Sequence, residues 1–440
     1  MELDSLFFIS CFLPVSAVLY WAVRKTILRN YLLILISLAF YAFGDLDAIV
    51  VLLGAAAGNY LIALALKKKP SKLLCALGIA ANLALLGIYK YLGMFGGGVT
   101  GLVAPLGISF YTFKCISYLI DTYRKPELAQ KNFTKVLLYL SFFAQIVSGP
   151  ISRFDEFDAC WNNPKKDAAA PGLRRFVVGL AKKVLLAATL GKVADAAFAA
   201  DAPSVALAWL GAAAYMLQIY FDFSGYSDMA IGLGGMFGFS APENFCAPYC
   251  AVSISDFWRR WHMSLSFWFR DYLYIPLGGN RRGKLRAAGN KIIVFTLCGL
   301  WHGASWSYVI WGLWHGLLSA FETFVPLHPK KVASSLVCRI YTLLAVLLGF
   351  VMFRAGDIAT GINMLGAMFT GTAALPQGLL TGKFLFVSAV SIVACLPLGK
   401  FFKKYKAIDI AGYPLSLLLF ALCLMALASG GFVPSIYGQF

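Results

Sequence analysis

Residues 256–284 read DFWRRWHMSLSFWFRDYLYIPLGGNRRGK, and residues 300–316 read LWHGASWSYVIWGLWHG. The region from 256 to 315 holds seven of the ten tryptophans in the chain and three of its four histidines. His262 and His302 each follow a tryptophan in segments that are otherwise apolar enough for a membrane. Because a bilayer interior disfavours ionisable side chains, histidines at that depth indicate a functional site.

The composition of the whole chain indicates a membrane protein. Apolar residues make up 60% of the 440 residues and charged residues only 13%, whereas charged residues make up about 25% of a soluble domain. Apolar runs of roughly 18 residues or more recur along the chain. Since no polar segment is long enough for a separate soluble domain, we expect an all-α polytopic protein with a single membrane domain, residues 1–440.

The net charge of +18 comes from Lys and Arg residues in short loops between the apolar runs. This is the positive-inside pattern of membrane proteins, so the charge does not indicate nucleic-acid binding. Basic and non-basic loops alternate across the first five predicted crossings, the first of which covers about 5–23. The pattern therefore predicts a multi-pass protein of the plasma membrane whose N-terminus lies outside the cytoplasm.

Later segments predict both full crossings and shorter helices. An apolar run over 133–150 contains a Ser-Gly-Pro break and predicts a re-entrant or half-membrane helix, because irregular backbone at that depth needs protein or water around it. Two helices are expected within 176–226. Further helices are expected near 333–353, 384–399 and 410–428, with a shorter interfacial helix over 357–369.

Several kinds of site are disfavoured by the sequence. The ten cysteines are scattered through apolar stretches and are interpreted as free thiols that act as small hydrophobes. The chain contains no His-Glu-x-x-His zinc motif and no Gly-x-Ser-x-Gly nucleophile elbow. We therefore predict no metal site, no tightly bound cofactor and no serine-hydrolase chemistry.

Residues 256–271, placed on one helix, present two faces. The apolar face consists of Trp258, Trp261, Leu265 and Trp268. The polar face consists of Arg259, His262, Ser266 and Arg270. Asp256 is spaced to pair with Arg259 or Arg260. The alternative interpretation is an interfacial helix with an outer belt of tryptophans and snorkelling arginines.

A helix stop and turn follow at 274–280, and a basic cluster comes next. Its members are Arg281, Arg282, Lys284, Arg286 and Lys291. They are interpreted as a cytoplasmic loop, as a docking patch for the phosphates of a donor such as coenzyme A, or as both.

His302 is predicted to lie near the start of another helix, beside the small residues 303–305, which let a substrate or helix approach closely. A neutral imidazole in an apolar pocket suits a general base that takes a proton from a hydroxyl group near pH 7. The alternative is a histidine that hydrogen-bonds across helices. His315 would point some 140° away on a straight helix, so packing is its expected role. His328 is interpreted as a loop residue.

These motifs resemble those of the membrane-bound O-acyltransferase superfamily, and within it the alginate O-acetyltransferase membrane-subunit type. Beyond the two opening stretches, the matching segments are PLGISFYTF, QIVSGPISRF, YFDFSGYSDMAIGLGGMFGF and PENFCAPY. The resemblance covers residues 105–316 and implies a catalytic core over about 105–320. It also implies about 11 transmembrane helices, with re-entrant or interfacial helices, around a central funnel and tunnel.

The resemblance implies a reaction as well. An acetyl group would pass from cytoplasmic acetyl-CoA towards hydroxyl groups of an extracytoplasmic polysaccharide, usually through a separate SGNH-type transferase partner. The family's defining histidine matches His302, and its second polar position matches His262. His302 would be the general base, and His262 would position or polarise the thioester carbonyl or orient the attacking group.

The other expected site residues support these two histidines. The donor phosphates are expected to contact Arg259, Arg260, Arg281, Arg282 and Lys284. The supporting residues are expected to be Asp256, Ser266, Arg270, Asp271, Trp301 and Trp258, with the two aspartates holding the arginines in place.

Three alternatives remain open at this stage. One is D-alanyl transfer from a carrier protein to teichoic acid, one is acylation of a lipid or protein, and the third is a transporter without chemistry. The chain ends in SIYGQF, with Gly438 where related acetyltransferases often have an aromatic residue, which weakens any handover role for Tyr437.

Overall fold

The computed structural model describes residues 1–44, 46–92, 103–327, 332–398 and 406–430. All regular secondary structure in this part of the chain is helical, which confirms the predicted class. The chain forms two compact units that are interleaved in sequence. The first unit comprises residues 1–179 and 226–243, and the second comprises residues 180–225 and 244–440. The expectation of one membrane domain with a core over about 105–320 stays a prediction.

The first unit contains seven complete helices and most of an eighth among the described residues. They are α1 Leu13–Ala22, α2 Thr26–Ala42, α3 Ala48–Lys68, α4 Lys72–Tyr91, α5 Ile108–Arg124, α6 Phe133–Ser141, α7 Phe154–Asn162 and α8 Ala169–Ala181. At 1.5 Å per residue, α6 is only about 14 Å long, against about 30 Å for a bilayer core. Turns follow it as far as residue 148. The helix is therefore too short to span a bilayer core, and its re-entrant or half-membrane placement stays a prediction.

Buried polar side chains connect helices inside the first unit. Asn59 on α3 and Asn82 on α4 exchange amide hydrogen bonds of 3.0 and 2.8 Å. Lys114 on α5 is 2% exposed and donates to the carbonyl oxygen of Tyr139 and to Oε1 of Gln145, both at 3.0 Å. Because buried polar groups are costly without partners, these contacts fix helix positions that apolar packing alone would leave variable.

The helix α10, Val205–Met236, begins in the second unit and ends in the first. The other helices of the second unit are α9 Ala188–Phe198, α11 Ile254–Trp258, α12 Met263–Phe269, α13 Lys284–His302, α14 Trp306–Phe324, α15 Val332–Ala355, α16 Ile358–Ala367, α17 Gly382–Ala394 and α18 Lys406–Ala428. A π-helical segment, Lys182–Ala187, precedes α9. Within it, Lys183 forms a buried ion pair with Asp222 of α10 at 2.5 Å.

The helices α13 and α14 form a hairpin whose backbones are in direct contact. An added Cβ at Gly299 would lie 2.2 Å from the carbonyl oxygen of Tyr308, and one at Gly312 would lie 2.3 Å from that of Phe295. Only glycine permits this approach, as is common between membrane helices. His302 is the last residue of α13, which corrects the expectation that it lies near the start of a helix.

The expectation of one continuous helix over 256–271 is wrong. The chain is helical over Ile254–Trp258 and Met263–Phe269, and a π-helical turn covers Arg270–Tyr274. His262 lies between the first two segments in the left-handed region, with φ 43° and ψ 53°. Backbone hydrogen bonds to the segment around residues 244–246 produce the break: the Cys246 N–H donates to the Arg260 carbonyl, and the Met263 N–H donates to the Asn244 carbonyl.

Five of the described helices are long and apolar enough to cross a membrane. They are α3, α4, α10, α15 and residues 410–428 of α18. Shorter apolar helices cover Phe8–Ala22, Thr26–Ala42, Ile358–Ala367 and Gly382–Ala394. Exposed leucines such as Leu61 and Leu77 are suited to contact with lipid rather than water. The count of about 11 crossings, the funnel and tunnel, and the orientation of the N-terminus stay predictions.

Two features of the sequence analysis, His328 and the terminal SIYGQF segment, lie outside the described residues.

Candidate active site

His302 lies inside an aromatic cage at the end of α13. The residue is 3% exposed. The imidazole ring contacts the rings of Trp301, Trp311 and Phe353, with centroid distances of 5.0, 5.2 and 5.1 Å. The last two contacts are edge-on, with interplanar angles of 90° and 81°. An apolar cage of this kind favours a neutral imidazole, which is the form that can accept a proton.

His262 is held by a residue that the sequence analysis did not select. His262 is 1% exposed, and its Nδ1 lies 3.2 Å from Oδ1 of Asn244 in the PENF segment. The ring of Phe223 meets the imidazole edge-on at 4.6 Å. Nε2 has no hydrogen-bond partner among the residues that the structure describes. The Pro-x-Asn sequence just before an aromatic run was the available signal for Asn244.

Both histidines contact the same tryptophan. The ring of Trp301 lies 5.0 Å from that of His302 and 6.3 Å from that of His262. Residues 40 positions apart in sequence therefore belong to one aromatic cluster. The histidine cluster is defined here as the set of His262, Trp301, His302, Trp311 and His315.

His315 has the packing role that its spacing suggested, but it does not lie away from His302. It is fully buried, and its ring contacts Trp311 at 5.3 Å. The indole N–H of Trp258 donates to Nδ1 of His315 at 3.4 Å. The argument from a straight helix fails because the chain reverses after His302, so α14 returns His315 to the same cluster.

A cavity of about 740 Å³ lies beside the cluster. Basic side chains that line it are Arg259, Arg270, Lys284 and Lys291. Apolar side chains that line it are Trp258, Leu265, Phe267, Phe269, Val294 and Phe295. A cavity with cationic groups and an apolar wall is suited to a ligand that has both anionic and apolar parts.

The structure divides the expected donor-binding and supporting residues into two groups. Those on the cavity are Arg259, Lys284, Ser266, Arg270 and Trp258. Those that do not line it are Arg260, Arg281, Arg282, Asp256, Asp271 and Trp301. Arg281 and Arg282 are exposed in the turn before α13. Neither His262 nor His302 lines the cavity.

The two aspartates each contact an arginine. Oδ1 of Asp256 lies 3.0 Å from Nε of Arg260, so the structure selects Arg260 over Arg259. Oδ1 of Asp271 lies 2.7 Å from Nε of Arg270. Both pairs are partly exposed, and such pairs contribute only about 0–1 kcal/mol each. Their contribution is therefore to the orientation of Arg260 and Arg270 more than to stability.

Glu322 is a second residue that sequence analysis missed. It is 6% exposed on α14, and its carboxylate accepts hydrogen bonds from the backbone N–H groups of Ile254 and Ser255 at 2.6 and 2.8 Å. These N–H groups are at the start of α11, where a helix has unsatisfied donors and a positive partial charge. Glu322 also lines the cavity. A single carboxylate within an apolar helix was the available signal.

Trp258 belongs to both regions. It lines the cavity, and its ring contacts Trp311 at 5.6 Å and His315 at 5.2 Å. Trp311 in turn contacts His302. Trp258 therefore contacts both regions, as does Phe295, which lines the cavity and meets the ring of His315 at 6.4 Å.

Comparison with known proteins identifies the family of the chain. Residues 124–365 match the model of the MBOAT, membrane-bound O-acyltransferase family. The chain is 41% identical over 391 residues to the probable alginate O-acetylase AlgI of Pseudomonas syringae pv. tomato, which covers 84% of this chain and 75% of the relative.

Two other relatives are named for different substrates. The peptidoglycan O-acetyltransferase of Helicobacter pylori is 34% identical, over 82% of this chain and 78% of the relative. The teichoic acid D-alanyltransferase of Bacillus subtilis is 32% identical, over 57% of this chain and 66% of the relative. Several helices are able to span a membrane, two histidines contact one tryptophan, and the matches to these relatives are extensive. The chain therefore belongs to the membrane-bound O-acyltransferase family and is a multi-pass membrane acyltransferase.

Proposed function

We propose that this enzyme transfers an acetyl group from cytoplasmic acetyl-CoA towards hydroxyl groups of an extracytoplasmic polysaccharide. The similarity to O-acetylating relatives, at 41% and 34% identity, supports acetyl as the acyl group. The names of these relatives refer to alginate and peptidoglycan, which supports a glycan of the cell envelope as the acceptor. The plasma membrane is the location that this acceptor requires.

The observation that carries the proposal is the contact of two buried histidines with one tryptophan, next to a basic cavity. Arg259, Arg270 and Lys284 would bind phosphate groups of coenzyme A, because charge-assisted hydrogen bonds to phosphate are the strong ones. The apolar wall would hold the pantetheine arm and acetyl group. Trp258 would then separate the donor from the histidine cluster until the thioester moves past it.

His302 would act as the general base. It takes the proton of the acceptor hydroxyl while the hydroxyl oxygen forms a bond to the thioester carbonyl carbon. The carbon–sulfur bond breaks, the sulfur leaves with the bonding electron pair as the coenzyme A thiolate, and the proton on His302 passes to that thiolate. A general base of this kind contributes about 10²–10⁴-fold to a rate.

The position of His302 on α13 supports this role. The C-terminal end of a helix carries a partial negative charge, which stabilises a cation near the last turn by about 0.3–1 kcal/mol. His302 is the final residue of the helix. The imidazolium that forms during proton transfer is therefore stabilised by the backbone, while the aromatic cage excludes water from the thioester.

A partner is expected on the outer side of the membrane. An SGNH-type transferase would receive the acetyl group and pass it to the polysaccharide. The N-terminus is expected outside the cytoplasm, because the basic loops of the first crossings alternate with non-basic ones.

The test is acetyl transfer by purified protein in vesicles that contain labelled acetyl-CoA, with the wild type beside His302→Gln. We expect turnover of the variant to fall by about 10²–10⁴-fold with normal protein levels. His315→Gln is the matched control, because it removes a buried histidine from the same cluster. It should lower turnover by less than about tenfold, since packing is its role.

Three outcomes contradict the proposal. Full transfer by His302→Gln would exclude the general-base role. Transfer of D-alanine from a carrier protein, with no transfer from acetyl-CoA, would favour the activity named for the Bacillus subtilis relative. Absence of any acyl transfer by the wild type would favour a transporter.

A further inference from the structure

We propose that Asn244 is a positioning residue that holds His262 in the Nδ1-protonated tautomer, so that Nε2 can only accept a hydrogen bond. The proposal rests on the acyl transfer proposed above and assigns His262 one of its open roles. His262 would orient the acceptor by accepting a hydrogen bond from a second polar hydrogen of that molecule, because the attacking hydroxyl has one hydrogen and gives it to His302. It would not polarise the thioester carbonyl, which requires a donor.

The identity of the Asn244 oxygen follows from a backbone donor. Oδ1 of Asn244 accepts hydrogen bonds from the Ser264 N–H at 3.1 Å and from the Ser264 hydroxyl at 2.9 Å. A backbone N–H is always a donor, whereas the oxygen and nitrogen of an amide side chain are otherwise hard to tell apart. The atom that faces Ser264 must therefore be the oxygen.

The tautomer of His262 follows from that oxygen. The same Oδ1 lies 3.2 Å from Nδ1 of His262. Since an amide oxygen has no hydrogen to give, Nδ1 must carry the proton of this hydrogen bond. In a neutral imidazole the other nitrogen then has a free lone pair. Nε2 is the nitrogen without a partner among the described residues, in a side chain that is 1% exposed.

The surroundings of His262 favour the neutral form. The side chains recorded against its ring are Phe223, Trp301 and Asn244, none of which is charged. Trp301 also contacts His302, another imidazole, at 5.0 Å. A buried imidazole without an anionic neighbour stays uncharged, because desolvation penalises the cation.

The backbone at His262 shows that this position is held in place. A left-handed conformation costs a non-glycine residue roughly 1–2 kcal/mol, although histidine adopts it more readily than most residues. The Met263 N–H to Asn244 carbonyl bond of 3.0 Å fixes the peptide on one side, and the Ser266 N–H to His262 carbonyl bond of 3.0 Å fixes it on the other. Asn244 thus binds both the backbone after His262 and its ring.

The first experiment measures the tautomer directly and needs no activity. The chain has only four histidines, so ¹⁵N-histidine NMR of the purified protein gives few signals, and the one missing from His262→Gln is assigned to His262. We expect a neutral ring with the proton on Nδ1 in the wild type. A ring with the proton on Nε2 would overturn the proposal, whether or not the protein transfers acetyl groups.

The second experiment measures the pH profile of kcat/KM for acetyl transfer. In Asn244→Asp, a carboxylate still accepts from Ser264 but stabilises the imidazolium form of His262. The acidic limb of the profile should therefore move to higher pH by about one unit or more. Asn244→Ala should lower kcat about 10-fold or more, because the ring is no longer oriented.

Ser264→Ala is the matched control. It removes the hydroxyl donor to the same oxygen but leaves the Ser264 N–H and the histidine contact in place. We expect its pH profile to match that of the wild type. An unchanged profile in Asn244→Asp, or an equal shift in Ser264→Ala, would contradict the proposal. Failure of the wild type to transfer acetyl would refute the proposed function alone, since the NMR result stands by itself.

Discussion

The histidine cluster and the basic cavity are neighbours with opposite physical properties. The cluster consists of buried neutral rings, with His302 3% and His262 1% exposed. The cavity measures about 740 Å³ and carries four basic side chains on its lining. The first environment suits proton transfer without water, and the second suits an anionic ligand that arrives from water. Under the proposed function, the difference would separate chemistry from binding, with Trp258 on the boundary between the two regions.

The largest expected effect comes from removing that boundary. Trp258→Ala deletes a buried ring that contacts His315 and Trp311, and such truncations cost about 3–5 kcal/mol. We expect a lower unfolding temperature and hydrolysis of acetyl-CoA in the absence of acceptor, because water enters the cluster. Thermal unfolding in detergent and thiol release measure the two effects.

Trp258→Phe is the matched control for the ring. It keeps an aromatic wall but loses the 3.4 Å hydrogen bond to His315. Its free energy of unfolding should fall by roughly 1 kcal/mol, and it should hydrolyse little acetyl-CoA. Equal hydrolysis by both variants would show that the indole is not the barrier.

The next effect concerns the hairpin that assembles the cluster. Gly299→Ala places a Cβ 2.2 Å from the carbonyl oxygen of Tyr308, so α13 and α14 must separate. Overpacking of this kind costs about 1–3 kcal/mol and would move His315 and Trp311 relative to His302. We expect reduced protein levels and activity, measured by membrane yield and turnover.

Gly289→Ala tests the same substitution on the same helix, where no atom lies within 4 Å of the added Cβ. It should be neutral or slightly stabilising, since alanine is the better helix former by about 1 kcal/mol. Equal losses at both positions would mean that the close backbone contact is not required.

A comparable loss of stability is expected at the carboxylate that anchors α11 beside the cavity. Glu322→Ala leaves the N–H groups of Ile254 and Ser255 without their acceptor, which costs about 1.5–3 kcal/mol for hydrogen bonds to a charged group. Glu322→Gln retains one acceptor oxygen, so its free energy of unfolding should fall by about half as much. Unfolding in detergent measures this, and equal stability of Glu322→Ala and the wild type would refute the anchor role.

The smallest effect tests the cavity as a donor site. Lys284→Gln removes a charge from the cavity lining. We expect the KM for acetyl-CoA to rise several-fold, which corresponds to a loss of about 1 kcal/mol in binding free energy, with kcat unchanged. Arg286→Gln is the matched control, because Arg286 is exposed and does not line the cavity. Steady-state kinetics at low salt give the comparison. A fall in kcat without a change in KM would assign Lys284 to the chemistry instead.

Part of the site could be predicted because its signals are local. His262 and His302 stand out as ionisable residues in apolar segments, and both are in the cluster. Arg259 and Lys284 were selected from a basic run and line the cavity. Arg281 and Arg282 belong to the same basic run but are exposed in a turn and do not line the cavity. The local sequence gives no signal that distinguishes them from Lys284.

Other features depend on contacts between distant residues. Periodicity over 256–271 predicted one helix, but hydrogen bonds from residues 244–246 interrupt it at His262. Asn244 and Glu322 act on residues that lie 18–20 and 67–68 positions away. No spacing rule within a helix includes such pairs.

The amino-acid sequence alone determined the helical membrane class, the family motifs and the two candidate histidines, because bilayer burial and side-chain chemistry act residue by residue. The tertiary structure alone decided which charges line the cavity, which residue faces Nδ1 of His262, and that His315 meets the same tryptophan as His302. The contact at Nδ1 depends on the hydrogen bonds between Asn244 and the chain around His262, and the place of His315 depends on where α13 reverses into α14. Both are properties of packing in three dimensions.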